Sequence, residues 1–148
     1  MRNSLKYFAL VIVLFTASCS NKTVILEKIN SFDLPAYFSS SILLGYDKEQ
    51  MLKTNHFVIV LGRIDTTNET KPIEIAFIKV NKQLIELHFV KTGLSSSGIY
   101  NEFANKDFSL QINFEREPQQ NSHCKGEYKL TTKGYSEQEK IYGIGGYY

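Results

Sequence analysis

Asp107-Phe108-Ser109-Leu110-Gln111-Ile112-Asn113-Phe114-Glu115 is the stretch whose pattern decides the fold class. Phe108, Leu110, Ile112 and Phe114 fall on alternate positions, with Ser109, Gln111, Asn113 and Glu115 between them. Successive side chains of an extended chain point to opposite faces, so this period sets one face against a core and the other in water. A helix would scatter the same four apolar residues around its circumference. The segment therefore predicts a half-buried β-strand.

Outward from it, Lys125–Thr132 keeps the same rhythm, with Gly126, Tyr128 and Leu130 opposed to Lys125, Glu127 and Lys129. His56–Ile64, Ile73–Val80 and Leu84–Lys91 are rich in the β-branched and aromatic residues that strands favour. Ile99–Phe103 and Lys140–Ile144 are shorter candidates. Val80-Asn81-Lys82-Gln83 and Asn105-Lys106-Asp107 carry tight-turn chemistry, and Asp65–Pro72 and Glu117–His123 read as longer polar loops. Many strands at short spacing predict a mainly β chain, an antiparallel meander forming a small sandwich or barrel. Residues 24–55 are less regular. Val24–Ile29 fits a strand or a helical turn. Asp47 and Gln50 resemble a capping box before a short helix, Lys48–Lys53, and Leu34-Pro35 breaks any long helix.

The first residues have their own composition. Arg2 and Lys6 are followed by the unbroken apolar run Tyr7–Phe15, then by Thr16-Ala17-Ser18 and Cys19. A positive start, a short apolar stretch and small residues make a secretory signal peptide. The run is shorter than the roughly 20 apolar residues a membrane-spanning helix needs. Phe15-Thr16-Ala17-Ser18-Cys19 resembles the lipobox of bacterial lipoproteins, in which signal peptidase II cleaves before a diacylglyceryl-cysteine. The match covers only the first 20 or so residues. It departs from the family pattern in having Thr16 where Leu is preferred and Ser18 where Gly or Ala is preferred. Thr16 and Ser18 also suit an ordinary signal peptidase, in which case Cys19 would be a free thiol able to pair with Cys124. The resemblance implies a signal peptide at 1–18, a lipidated tether at 19–23 with Cys19 as the attachment residue, and one β-rich domain at 24–148. It also implies a membrane partner reached through the N-terminal lipid. Ser20, standing where Asp would retain an enterobacterial lipoprotein in the inner membrane, favours the outer membrane. In overall style the chain is similar to small lipoproteins of Bacteroidetes-type bacteria.

The net charge is +2, and the signal region holds two of the 17 basic and none of the 15 acidic residues, so the remainder is neutral. Nucleic-acid affinity rests on phosphate neutralisation, and nothing here points to it. Once Cys19 is acylated, Cys124 has no partner within the chain for a disulfide.

Chemistry-bearing residues are few. Glu86 and His88 share a strand face and could contribute to a zinc site with a third ligand such as His123. A solvent-facing polar pair opposite Ile85, Leu87 and Phe89 accounts for them more simply. His123-Cys124 has the composition of a nucleophilic pair, but strand neighbours face opposite ways. Gly93-Leu94-Ser95-Ser96-Ser97 falls one glycine short of a nucleophile elbow and lacks its strand-to-helix setting. Six tyrosines (100, 128, 135, 142, 147 and 148) crowd the C-terminal third, where core and rim positions or an exposed aromatic platform would use them. The glycine-rich tail, Gly143–Tyr148, is expected to pack on the sheet. The glycosylation-like triplets at Asn21, Asn68 and Asp65 are too short to carry weight. No residue is assigned to catalysis, a cofactor or a metal. The expectation is a non-enzymatic, lipid-anchored envelope module that binds or supports an envelope protein. The alternative is a periplasmic inhibitor or immunity protein that plugs a lysozyme-like or toxin enzyme with Leu94–Gly98 or Glu117–His123.

Overall fold

The computed structural model describes residues 24–64, 73–96, 98–117 and 120–145. The signal region 1–18, Cys19 and its tether, the 65–72 loop with its Asn68 and Asp65 triplets, and Tyr147 and Tyr148 lie outside the described residues. Eight strands follow in order: β1 (Phe38–Gly45), β2 (Ile59–Ile64), β3 (Ile73–Val80), β4 (Gln83–Ser95), β5 (Gly98–Ala104), β6 (Phe108–Glu117), β7 (Gln120–Thr132) and β8 (Tyr135–Gly145). A short helix, α1 (Lys48–Thr54), joins β1 to β2. Each strand pairs antiparallel with the next, and β8 returns to β1 to close a barrel. The expected meander is thus a barrel and not a sandwich.

Alternation holds where the sequence displays it. Leu110, Ile112, Tyr128 and Leu130 enter the barrel, each less than 2% exposed, while Gln111, Asn113, Glu127 and Lys129 stay outside. The two weak candidates are full strands, β5 and β8. Pairing also runs through most of the expected 117–123 loop, with Arg116 opposite Cys124 and Glu117 opposite Gln120. β1 is the strand whose sequence pattern is irregular. A register shift between Ser40 and Ile42 breaks its alternation, and three serines weaken its apolar signal.

The turns are local in origin. Asn81 and Lys82 have φ of 51° and 63°, the left-handed pair that a two-residue hairpin needs. Asn105 Oδ1 accepts from the N–H groups of Asp107 and Phe108, both at 2.9 Å. Asp47 Oδ1 accepts from Gln50 N–H at 2.8 Å, capping α1. The helix ends at Asn55 in the left-handed region, at φ 50°.

Connections alternate between two rims. The upper rim carries the β2–β3, β4–β5 and β6–β7 connections, and the lower rim carries β1–α1–β2, β3–β4, β5–β6 and β7–β8. Residues 24–34 form a strap that starts at the lower rim. Leu26 joins the interior core, Glu27 N–H donates to Lys79 O at 2.8 Å, and Ile29 N–H donates to Phe57 O at 2.8 Å. The strap then climbs the outer wall of β1–β3, where Ile29 and Leu34 meet Val60, Ile75, Phe77 and Phe38 in a second apolar cluster. β2 and β3 are therefore apolar on both faces, Ile59 and Ile78 inside and Val60 and Phe77 beneath the strap. Lys79 Nζ meets Asp33 Oδ2 at 2.9 Å and locks the strap to β3.

Interior glycines let the backbones converge. A Cβ on Gly126 would lie 1.9 Å from the Asn113 carbonyl oxygen, whereas one on Gly134, at φ +80°, would meet nothing within 4 Å. Overpacking of this kind costs about 1–3 kcal/mol, so Gly126→Ala should lower the unfolding free energy by that amount in urea titration. Gly134→Asn keeps a residue tolerated at positive φ, and should change it by less than about 0.5 kcal/mol.

Candidate functional site

The upper rim brings together the features best suited to recognition. Leu61 and Ala76 point into the barrel, so Arg63 and Glu74, two residues further on and paired with each other, project into its mouth. Across the mouth Thr92 Oγ1 donates to Asn101 Oδ1 at 2.9 Å. Ser39, Arg63, Glu74 and Asn101 rim a cleft of about 340 Å³ that bottoms on Leu61 and Phe103. Below that floor the interior is filled by side chains, as a small barrel permits.

The β4–β5 ribbon continues the wall beyond this mouth. At its tip Leu94 and Ile99 are direct cross-strand partners, 81% and 63% exposed. Ser95 Oγ donates to Gly98 O at 3.1 Å, and Gly98 turns the chain at φ 113°. An exposed apolar pair on a paired ribbon beside a polar rim has the chemistry of a contact surface. The β6–β7 tip lies on the same rim. The sequence marks Leu94–Gly98 as a candidate plugging loop, and its prominence comes from the length of the ribbon.

The lower rim is closed by a knot of three phenols and a carboxylate. Tyr128 and Tyr135 both donate to the Glu137 carboxylate, and the Tyr46 and Tyr128 hydroxyls lie 3.0 Å apart. Tyr128 is 1% exposed, so burial drives its phenol far above its ordinary value, with the bond to Glu137 adding to the effect. Tyr135 is pushed up to about 12, chiefly by its bond to Glu137, and burial raises Tyr46. The described tyrosines of the C-terminal cluster thus separate into core (Tyr128), lower rim (Tyr135, beside Tyr46) and outer wall (Tyr100 and Tyr142).

The residues singled out by type are dispersed. Glu86 Oε1 and His88 Nε2 lie 3.1 Å apart on the outer wall of β4, with Ile85 and Leu87 turned inward. His88 is level with Ala104, Ser109 and Thr131 across the ladder. His123 lies eight residues along β7 from Thr131, roughly 27 Å at about 3.4 Å per residue. The third zinc ligand is therefore out of reach, and among the described residues no group of three His, Cys, Asp or Glu side chains could hold a metal. Cys124 is buried in the core, and its neighbour His123 faces the outside, where its Nδ1 lies 3.4 Å from Ser122 Oγ. Gly93-Leu94-Ser95 runs within β4 and lacks the helix that an elbow requires. Comparison of the chain with protein-family models, curated proteins and solved structures gives no match.

The phenol knot makes stability fall on the alkaline side. Its tyrosines ionise more easily in the unfolded chain, so their contribution is complete below pH 10 and is lost as pH rises beyond it. Chemical denaturation of the wild type between pH 9 and 12 should show this decline beginning near 10. Tyr128→Phe should flatten it.

Proposed function

We propose that this chain is a lipid-anchored, non-enzymatic binding module of a bacterial cell envelope, held by acyl chains on Cys19 and contacting an envelope protein through its upper rim. The observation that carries the reading is the succession of Arg2 and Lys6, the apolar run to Phe15, and Thr16-Ala17-Ser18-Cys19. The domain behind that cysteine has the polarity of a barrel bathed in water. Its lumen is apolar, and the β6–β8 wall presents Gln111, Asn113, Lys125, Glu127, Lys129 and Lys140. A lipid-immersed barrel has the opposite distribution. Among the described residues no helix is long and apolar enough to cross a membrane. Attachment through two or more acyl chains supplies the stable hold that one chain does not.

A second reading, an inhibitor or immunity protein directed at a lysozyme-like or toxin enzyme, is favoured by one specific feature. The β4–β5 and β6–β7 tips stand on one rim beside the Arg63–Glu74 mouth, so a single surface could enter a partner's cleft.

Cys19→Ser in the native cell should abolish incorporation of labelled palmitate and move the protein from the membrane to the soluble envelope fraction. A variant that stays with membranes, together with a wild type that takes up no palmitate, would overturn the anchoring. Capture of the anchored wild type with its neighbours, repeated with Leu94→Ser/Ile99→Ser, should lose the partner if the upper rim makes the contact. Both side chains are exposed, so the change leaves the core intact.

A further inference from the structure

The strap fixes where the described chain begins. Leu26 is 5% exposed in the lower end of the core, Lys82 N–H donates to Glu27 Oε1 at 2.8 Å, and Lys28 Nζ donates to Thr54 O at 3.0 Å. Residues 26–28 are thereby pinned between the β3–β4 turn and the end of α1. Cys19 precedes Val24 by five residues, which extended chain spans in at most about 18 Å. β4 and β7 have 13 residues each. At about 3.3 Å per residue and the usual barrel tilt, such strands rise about 30 Å from rim to rim. A lipid on Cys19 therefore reaches the lower rim easily and leaves the upper rim as the far end.

The surface around that starting point is unusual for a protein wall in water. Ile25 is 70% exposed, Phe32 84% and Leu52 56%. Phe32 lines a groove together with Lys28, Thr54 and Asn55; along the chain Ile25 lies three residues before Lys28 and Leu52 two before Thr54. Lys53 and Lys82 are exposed on the same rim, with Lys53 Nζ paired to Glu49 Oε2 at 3.0 Å. Exposed apolar side chains of this size beside the chain's entry match the acyl-chain boundary of a bilayer surface, with Lys28 and Lys82 able to meet anionic headgroups.

We infer that the lower rim and strap form a lipid-contacting face on which Ile25, Phe32 and Leu52 enter the headgroup layer, so that the barrel stands with its Arg63–Glu74 mouth and β4–β5 tip away from the membrane. The inference rests on the acylation of Cys19. The face gives the barrel an orientation that attachment at Cys19 by itself does not impose, and it keeps the upper rim clear for a partner.

The test uses the lipidated full chain in vesicles of phosphatidylethanolamine and phosphatidylglycerol containing a headgroup nitroxide quencher. Single reporters are placed at Leu52→Cys, Phe32→Cys and Ser96→Cys, and a fluorophore is attached to each; Cys19 is acylated and Cys124 is buried. The expected result is strong quenching at Leu52 and Phe32 and none at Ser96. Co-flotation with equal quenching at all three sites, or with none at Leu52 and Phe32, overturns the orientation while leaving the anchor intact. Self-quenching between copies at Phe32 without nitroxide quenching overturns it in favour of a second copy on that face. A wild type that fails to float overturns both readings together.

Discussion

Closure of the sheet depends on a few residues at the end of β8, where Gly143, Ile144 and Gly145 pair with Leu44, Leu43 and Ile42. An open eight-stranded meander would leave β1 and β8 as exposed edges with a row of unsatisfied N–H and C=O groups. The pairing removes both edges, and it requires unusually close backbones. A Cβ on Gly143 would lie 2.3 Å from Cys124 Sγ, and one on Gly145 would lie 2.0 Å from the Ser41 carbonyl oxygen. Gly143 and Gly145 are what allow this part of the tail to become a wall.

The rest of the architecture follows from that seam. The register around the ladder returns to β1 roughly ten residues out of step, so the strands tilt and the lumen is wide enough to need large side chains. Phe103, Tyr128, Leu110 and Leu87 fill it. The same stagger leaves the start of β8, Tyr135–Ile141, beyond β1 at the lower rim, where α1, Leu26 and the Tyr46–Tyr128–Glu137 knot complete the closure. A phenol hydroxyl is costly to bury without a partner, and here the Tyr128 and Tyr135 hydroxyls share the Glu137 carboxylate while Tyr46 meets the Tyr128 hydroxyl.

With the lumen full, the walls and rims must carry any function. The outer wall divides sharply: β1–β3 are covered by the strap, and β6–β8 are wet and mixed in charge, with Gln138 Nε2 donating to Glu127 Oε2 at 2.9 Å. A depression of about 400 Å³ on that wet wall, between Asn113, Lys125, Glu127 and Lys140, is lined by charges of both signs, so it offers no selective preference for one ligand charge. The two rims differ more, one being polar with an apolar hairpin tip, the other carrying Ile25 and Leu52 exposed near the chain's entry. That asymmetry gives a small filled barrel a front and a back.

Strand existence in the second half of the chain, the Asn81-Lys82 and Asn105–Asp107 turns, and the Asp47 cap were determined by the sequence alone, because each depends on side-chain alternation or on hydrogen bonds within a few residues. The export-like start is equally local. β1 was hidden because a bulge and three serines break its period, and the strap because residues 24–34 bury apolar groups against partners far along the chain, such as Phe57 and Lys79. A trace of the strap was present in the unbroken apolar runs Val58–Leu61 and Ile75–Ile78, which leave an outer face in need of cover. Barrel closure, the alignment of the β4–β5 and β6–β7 tips on one rim, and the separation of His88 from His123 belong to tertiary structure. They depend on the register of every strand pair at once, and no local pattern encodes that sum.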